Sequence, residues 1–116
     1  MTILIIFLLH WYLSLFVQTF FLHRYASHQM FKMGPLTEKI FFVLTWLAQG
    51  SSFLHPAAYA LMHRKHHEHS DTEKDPHSPV SFNNWLKFMY KTRDEYASYI
   101  EKVNKGDYKD KSLPRW

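Results

Sequence analysis

The 116-residue sequence has no cysteine. That excludes a disulfide, a thiolate nucleophile and any cysteine-ligated zinc or iron–sulfur site. Charge is nearly as scarce in one half of the chain. Residues 1–63 hold four charged side chains (Arg24, Lys32, Glu38 and Lys39), and residues 64–116 hold the other twenty. The net charge of +4 therefore describes mostly an aqueous half and says little about fold. Basic residues from Arg64 onward interleave with nine acids and form no patch, which argues against a nucleic-acid partner. No Lys or Arg precedes Arg24, and Phe20-Phe21-Leu22-His23 stands where a signal peptide would need small residues for cleavage. There is no internal repeat and no low-complexity tract. Against these absences stand 47% hydrophobic residues, 18% aromatic residues and nine histidines.

The length suits one domain, by the prior of about 100–200 residues each. Met1 to Leu22 is uncharged, and Ile3–Leu22 as a helix spans about 30 Å, the thickness of a bilayer's hydrocarbon core. It reads as a transmembrane helix. Arg24, Lys32 and Lys39 follow it, so its C-terminal end faces the cytoplasm by the positive-inside rule. His10 and Gln18 are polar at membrane depth and are expected to face protein or a cavity. No breaker appears before Gly34-Pro35, so the helix is expected to run on to Met30, roughly 10 Å beyond the apolar layer. Thr37 is the expected cap of the next helix.

Ile40 to Met62 is again apolar and uncharged. Hydropathy alone would make it a second span, but that would put the histidines on either side of it on opposite faces of the membrane. A full hairpin would need about 40 residues. Gly50-Ser51-Ser52 and His55-Pro56 interrupt the run. The reading that keeps the histidines together is a broken helical segment that lies in the interface or dips partly into it, its irregular backbone shielded by protein. His55 reads as structural. A helix restarts after Pro56 and carries His63, His66 and His67, while Glu68 to Pro79 is a polar loop. Phe82–Met89 reads as a short amphipathic helix suited to lying along headgroups, Asp94–Val103 as another, and Gly106–Trp116 as loosely structured. The expected fold is thus an all-α integral membrane protein. Residues 1–33 form the transmembrane helix and first histidine pair, 34–62 the broken segment, 63–80 the histidine helix and polar loop, and 81–116 an amphipathic and polar cytosolic tail.

His63-Arg64-Lys65-His66-His67 places imidazoles at i, i+3 and i+4, on one helical face. Three neutral imidazoles there point to a metal, and iron, zinc, copper and nickel all suit them. No glutamate base lies between the histidines, so the zinc-protease pattern HExxH is absent. His23 and His28 are five apart, about 140° around an α-helix, and are not expected to share a stripe. Five or more imidazoles from two helix ends can hold a pair of irons. Such a centre can activate dioxygen and attack an unactivated C–H bond, which acid–base side chains cannot do.

His23-Arg24-Tyr25-Ala26-Ser27-His28 and His63-Arg64-Lys65-His66-His67 resemble the HxxxxH and HxxHH boxes of the membrane fatty acid desaturases, and Asp75-Pro76-His77-Ser78 is similar to an element that follows the second box in the acyl-CoA type. The resemblance runs from residue 1 to about 90. It implies that His23, His28, His63, His66 and His67 ligate iron in a non-haem di-iron centre on the cytosolic side. It also implies an acyl substrate (acyl-CoA or lipid), dioxygen, and an electron-transfer protein as partner. Arg24, Arg64 and Lys65 would orient the box helices or meet an acidic partner or acyl carrier. No histidine follows His77, so the family's third box is missing. The chain is therefore expected to be the N-terminal part of a desaturase, inactive alone, its remaining ligands supplied by further sequence or a second chain. Three rivals remain: a related di-iron hydroxylase, a degenerate remnant, and a non-enzymatic membrane protein binding zinc or copper through His63, His66 and His67.

Overall fold

The computed structural model describes residues 1–116, the side chain of Ser81 excepted. Every regular element among the described residues is helical. Helix α1, Thr2–Val17, continues without a break into a π-helical segment, Gln18–Ser27. Together they make one rod of 26 residues, long and apolar enough to cross a membrane. Its residues 2–13 are almost wholly apolar, His10 and Thr2 excepted, and are exposed. Ile3 is 84% exposed and Leu9 66%, as befits a surface whose solvent is lipid.

The rod ends at Ser27 rather than Met30, because Gln29 takes a left-handed φ of +52°. Helix α2, Pro35–Gln49, starts at Gly34 with Pro35 as its first residue, not at Thr37. Proline fits that position because its missing N–H is one the helix cannot use there. The short connection turns α2 back along the rod, where Phe41 lies 5.2 Å from Phe20 and 5.8 Å from Phe21 between ring centres. At 15 residues, α2 rises about 22 Å and falls short of a bilayer core. Gly50, at φ +52° in a backbone conformation that disfavours a side chain, ends it and opens a 3-10 turn through Ser52.

Helix α3, Pro56–His69, then packs against the π-helical segment. It also packs against the helix that follows, and Ala57, Ala58 and Ala60 are buried, small side chains that let neighbouring backbones come close. The middle segment is thus broken where Gly50 and Pro56 predict, between α2 and α3. Where two short helices were expected after Phe82, there is a single helix α4, Trp85–Lys105. No glycine or proline lies between Trp85 and Lys105, so nothing breaks it. Asn84 caps its start through its side chain, and Gly106 in the left-handed conformation ends it. The polar tail is not loose. Arg115 donates its backbone N–H to the buried Glu38 carboxylate at 2.6 Å, and Lys39 lies over the Trp116 ring.

Candidate metal centre

The winding of the π-helical segment decides how the first two histidines meet. Its hydrogen bonds run from i+5 to i, and the His28 N–H donates to the His23 carbonyl at 3.0 Å. Residues five apart then stack above one another, and the two imidazole rings stand 4.5 Å apart. The 140° separation expected of an α-helix is therefore corrected: His23 and His28 share a face.

Helix α3 supplies the others. His55 caps its start, its Nδ1 accepting from the Ala57 N–H at 3.3 Å, while the His55 N–H donates to the Tyr96 hydroxyl at 2.7 Å. His55 is structural, as expected. Six residues beyond Ala57 on α3, His63 comes within 4.8 Å of His23 and 5.1 Å of His28 between ring centres. Candidate ligand nitrogens of His23, His28 and His63 all lie within 4.8 Å of one another. The His63 Nε2 is 3.2 Å from that of His28 and 3.1 Å from that of His67. Two nitrogens held about 2.0–2.1 Å from one metal at a right angle would be about 3 Å apart, so these spacings suit neighbouring ligands on an ion.

Electrostatics favour the same use. Burial lowers the His63 pKa from 6.5 to about 4, and the charge on His23, His67, His28 and His66 adds to that fall. The His28 pKa is lowered too, first by desolvation and then by His23, His67 and Arg64. Both are neutral at pH 7, with lone pairs available. Tyr59 lies flat against the His63 ring at 5.5 Å and 10°.

His66 is held differently. Its Nδ1–H donates to both oxygens of Asp75, at 2.8 and 2.9 Å. Its ring stands 6.3 Å from that of His63 and 5.6 Å from that of His67, outside the close group of His23, His28 and His63. Burial raises the Asp75 pKa, but bonds from His66, the His77 N–H and the Asp71 N–H outweigh it and leave the net shift downward. Asp75 is thus an acceptor, fixed in the loop by the backbone of Asp71 and His77. In the sequence Asp75 stands out only as part of the Asp75-Pro76-His77-Ser78 motif. The pairing joins residues nine apart across a loop and has no local signature beyond an acid placed just before His77.

Other histidines are elsewhere. His69 accepts from Lys65 at 2.5 Å, and His10, expected to face protein or a cavity, is instead exposed on α1, where residues 2–13 are all exposed. His77 lies against Phe88, its ring 6.2 Å from that of His66. A mainly apolar cavity of about 550 Å³ opens between α3 and α4, where Leu54, Met62, Met89 and Tyr96 join Tyr59, His63, His66 and His77 in the lining. Gln18 lines it as well.

The family model described as fatty acid desaturase matches residues 1–102. A hex-5-enoyl-[acyl-carrier protein] acetylenase of Moorena producens (strain JHB) is 39% identical over 70 residues, which are 60% of this chain and 21% of that protein. The Delta-9 desaturase-like 3 protein of Arabidopsis thaliana is 34% identical over 83 residues, 71% of this chain and 25% of that protein. A chloroplastic palmitoyl-monogalactosyldiacylglycerol delta-7 desaturase of the same plant is 31% identical over 100 residues, 81% of this chain and 25% of its own length. The chain thus spans between 21% and 25% of the length of these curated relatives. No solved structure matches it.

Proposed function

The chain belongs to the fatty acid desaturase family, and from that premise we propose that it provides the membrane helix and five of the iron ligands of an oxygen-dependent acyl desaturase. The ligands are His23, His28, His63, His66 and His67, shared between two irons on the cytoplasmic side. The observation that carries this reading is the 3.2 Å approach of the His28 and His63 imidazoles, from separate helices, at the end of the membrane-length rod. Bound iron would supply the redox power to use dioxygen against an unactivated C–H bond. The protein's part is to hold neutral imidazoles, to fix His66 through Asp75, and to shield His63 with Tyr59. The apolar cavity beside His63 and His66 suits a methylene chain. Electrons come from a redox partner protein, and the remaining ligands from other sequence, since the last histidine in the chain is His77.

A zinc or copper protein using only His63, His66 and His67 would have no use for His28. The joint packing of His23, His28 and His63 favours the shared iron site. Replacing His28 with alanine separates the two: iron taken up anaerobically falls under the desaturase reading and is unchanged under the other. Co-expression with the remainder of a relative, followed by analysis of the lipid products, distinguishes a new double bond from a hydroxyl group.

A further inference from the structure

Arg64 stands between His63 and the second-box pair, yet its side chain turns away from the imidazoles toward the end of the π-helical segment. A helix end leaves its last carbonyls without intrahelical donors, and buried ones must find partners elsewhere. Here each can be followed. The carbonyls of His23, Arg24 and Tyr25 accept from the N–H groups of His28, Met30 and Gln29 at 3.0–3.1 Å. The carbonyls of Ala26 and Ser27 remain, in residues that are 1% and 4% exposed. Arg64 fills both, its Nη2–H donating to Ala26 at 2.7 Å and its Nε–H to Ser27 at 2.7 Å.

The same guanidinium reaches a third region of the chain. Its Nη1 pairs with the Asp110 carboxylate and donates to the Ser112 hydroxyl at 3.1 Å. Asp110 in turn accepts from the Ser112 N–H at 2.9 Å, and Ser112 meets Gln29 just past the first box. One planar side chain therefore bridges the residues before His28, the residue after His63 and the C-terminal segment.

We infer that Arg64 is a positioning residue: it clamps the end of the first box against the second and so sets the approach of His28 to His63, with Asp110 holding the guanidinium in place. Chemistry favours arginine for this task. A guanidinium is planar and offers several N–H groups in a fixed fork, whereas a lysine ammonium is a point charge on a flexible stem. A cation at a helix C-terminus is also favoured by the helix dipole. The role rests on the proposed metal site but concerns a residue that touches no metal.

The test uses the 116-residue chain in detergent micelles, with cobalt(II) as the metal probe. Wild type, His28→Ala, Arg64→Gln, Arg64→Lys and Asp110→Asn are compared in two measurements. One is amide exchange at His28, Gln29 and Met30 without metal; the other is cobalt affinity with its visible absorption. Arg64→Gln should speed exchange at those three amides and weaken cobalt binding by about 10–100-fold, the usual cost of losing an outer-shell support. Arg64→Lys should recover little of either, because an ammonium does not span both carbonyls, and Asp110→Asn should move both in the same direction by less. Should cobalt bind Arg64→Gln as tightly as wild type, with exchange unchanged, the inference fails. It fails too if Arg64→Lys restores both, since charge alone would then suffice. If Arg64→Gln does not fold, Asp110→Asn decides, and wild-type behaviour in that variant overturns the role. Wild type that binds no cobalt, or His28→Ala that binds it equally well, removes the shared metal site and this role with it.

Discussion

His66 and Asp75 show how much of the site depends on one hydrogen bond. An imidazole that gives its Nδ1 proton to a buried carboxylate has its tautomer and ring orientation set, and its Nε2 becomes a better donor to a metal. Asp75→Asn keeps the shape and removes the charge, so metal affinity should fall by about 10–100-fold with little change in helix content. Isothermal titration beside circular dichroism checks this. His63 gives a second residue-scale expectation. Its folded pKa is lowered by burial to about 4, so between there and the unfolded value near 6.5 the unfolded chain binds more protons. Stability then rises with pH in that window; it is fully present above about pH 6.5 and is lost as the pH falls toward 4. Thermal melts of the metal-free chain at pH 7 and pH 5 should show the acid sample melting first. His63→Phe should narrow the gap.

Between Gln18 and Ser27, what matters is the register of an element. Hydrogen bonds from i+5 to i align His23 with His28, and a 3.6-residue turn would not. Inserting one alanine between Tyr25 and Ala26 places the pair six apart and moves one imidazole off the shared face. Cobalt binding should then fall to that of His28→Ala, while mean helicity stays the same, a comparison that absorption titration can make. Helix α3 depends on its start in the same way. His55, Pro56 and the Tyr96 hydroxyl fix where its first turn begins, and each residue of shift would turn the imidazoles about 100° around the axis. Tyr96→Phe deletes the hydroxyl that the His55 N–H meets. It should cost about 1 kcal/mol in chemical denaturation, the usual net worth of a hydrogen bond.

At the scale of the whole molecule, the path is one long rod, a short helix that turns back, and a return along α3. That path brings both histidine boxes to the same end of the rod. Because the chain lacks cysteine, single introduced cysteines report sidedness cleanly. Met30→Cys and Ser70→Cys, both at exposed positions, should react with a membrane-impermeant maleimide from one side of sealed vesicles, and Thr2→Cys from the other. Opposite labelling of positions 30 and 70 would separate the two boxes across the bilayer and end the shared-site reading.

The sequence by itself determined the parts that depend on local chemistry. An uncharged run in residues 1–22 reads as a membrane-length helix, Gly50 and Pro56 mark breaks, and the spacing of His63, His66 and His67 puts them on one helix. The two boxes also carry the family resemblance, since each is a contiguous motif. Tertiary structure alone decided what depends on residues far apart in the chain. The π winding that pairs His23 with His28 leaves no mark in hydropathy, and the sequence reading put the two imidazoles on different faces. The partners of Arg64 and Glu38 come from a tail that composition had suggested was loose, and one uninterrupted helix replaced two. Hydrophobic period and breaker residues record what a segment does with its nearest neighbours. A carbonyl left over at a helix end is answered by whichever donor the folded chain brings there, and that donor can be dozens of residues away.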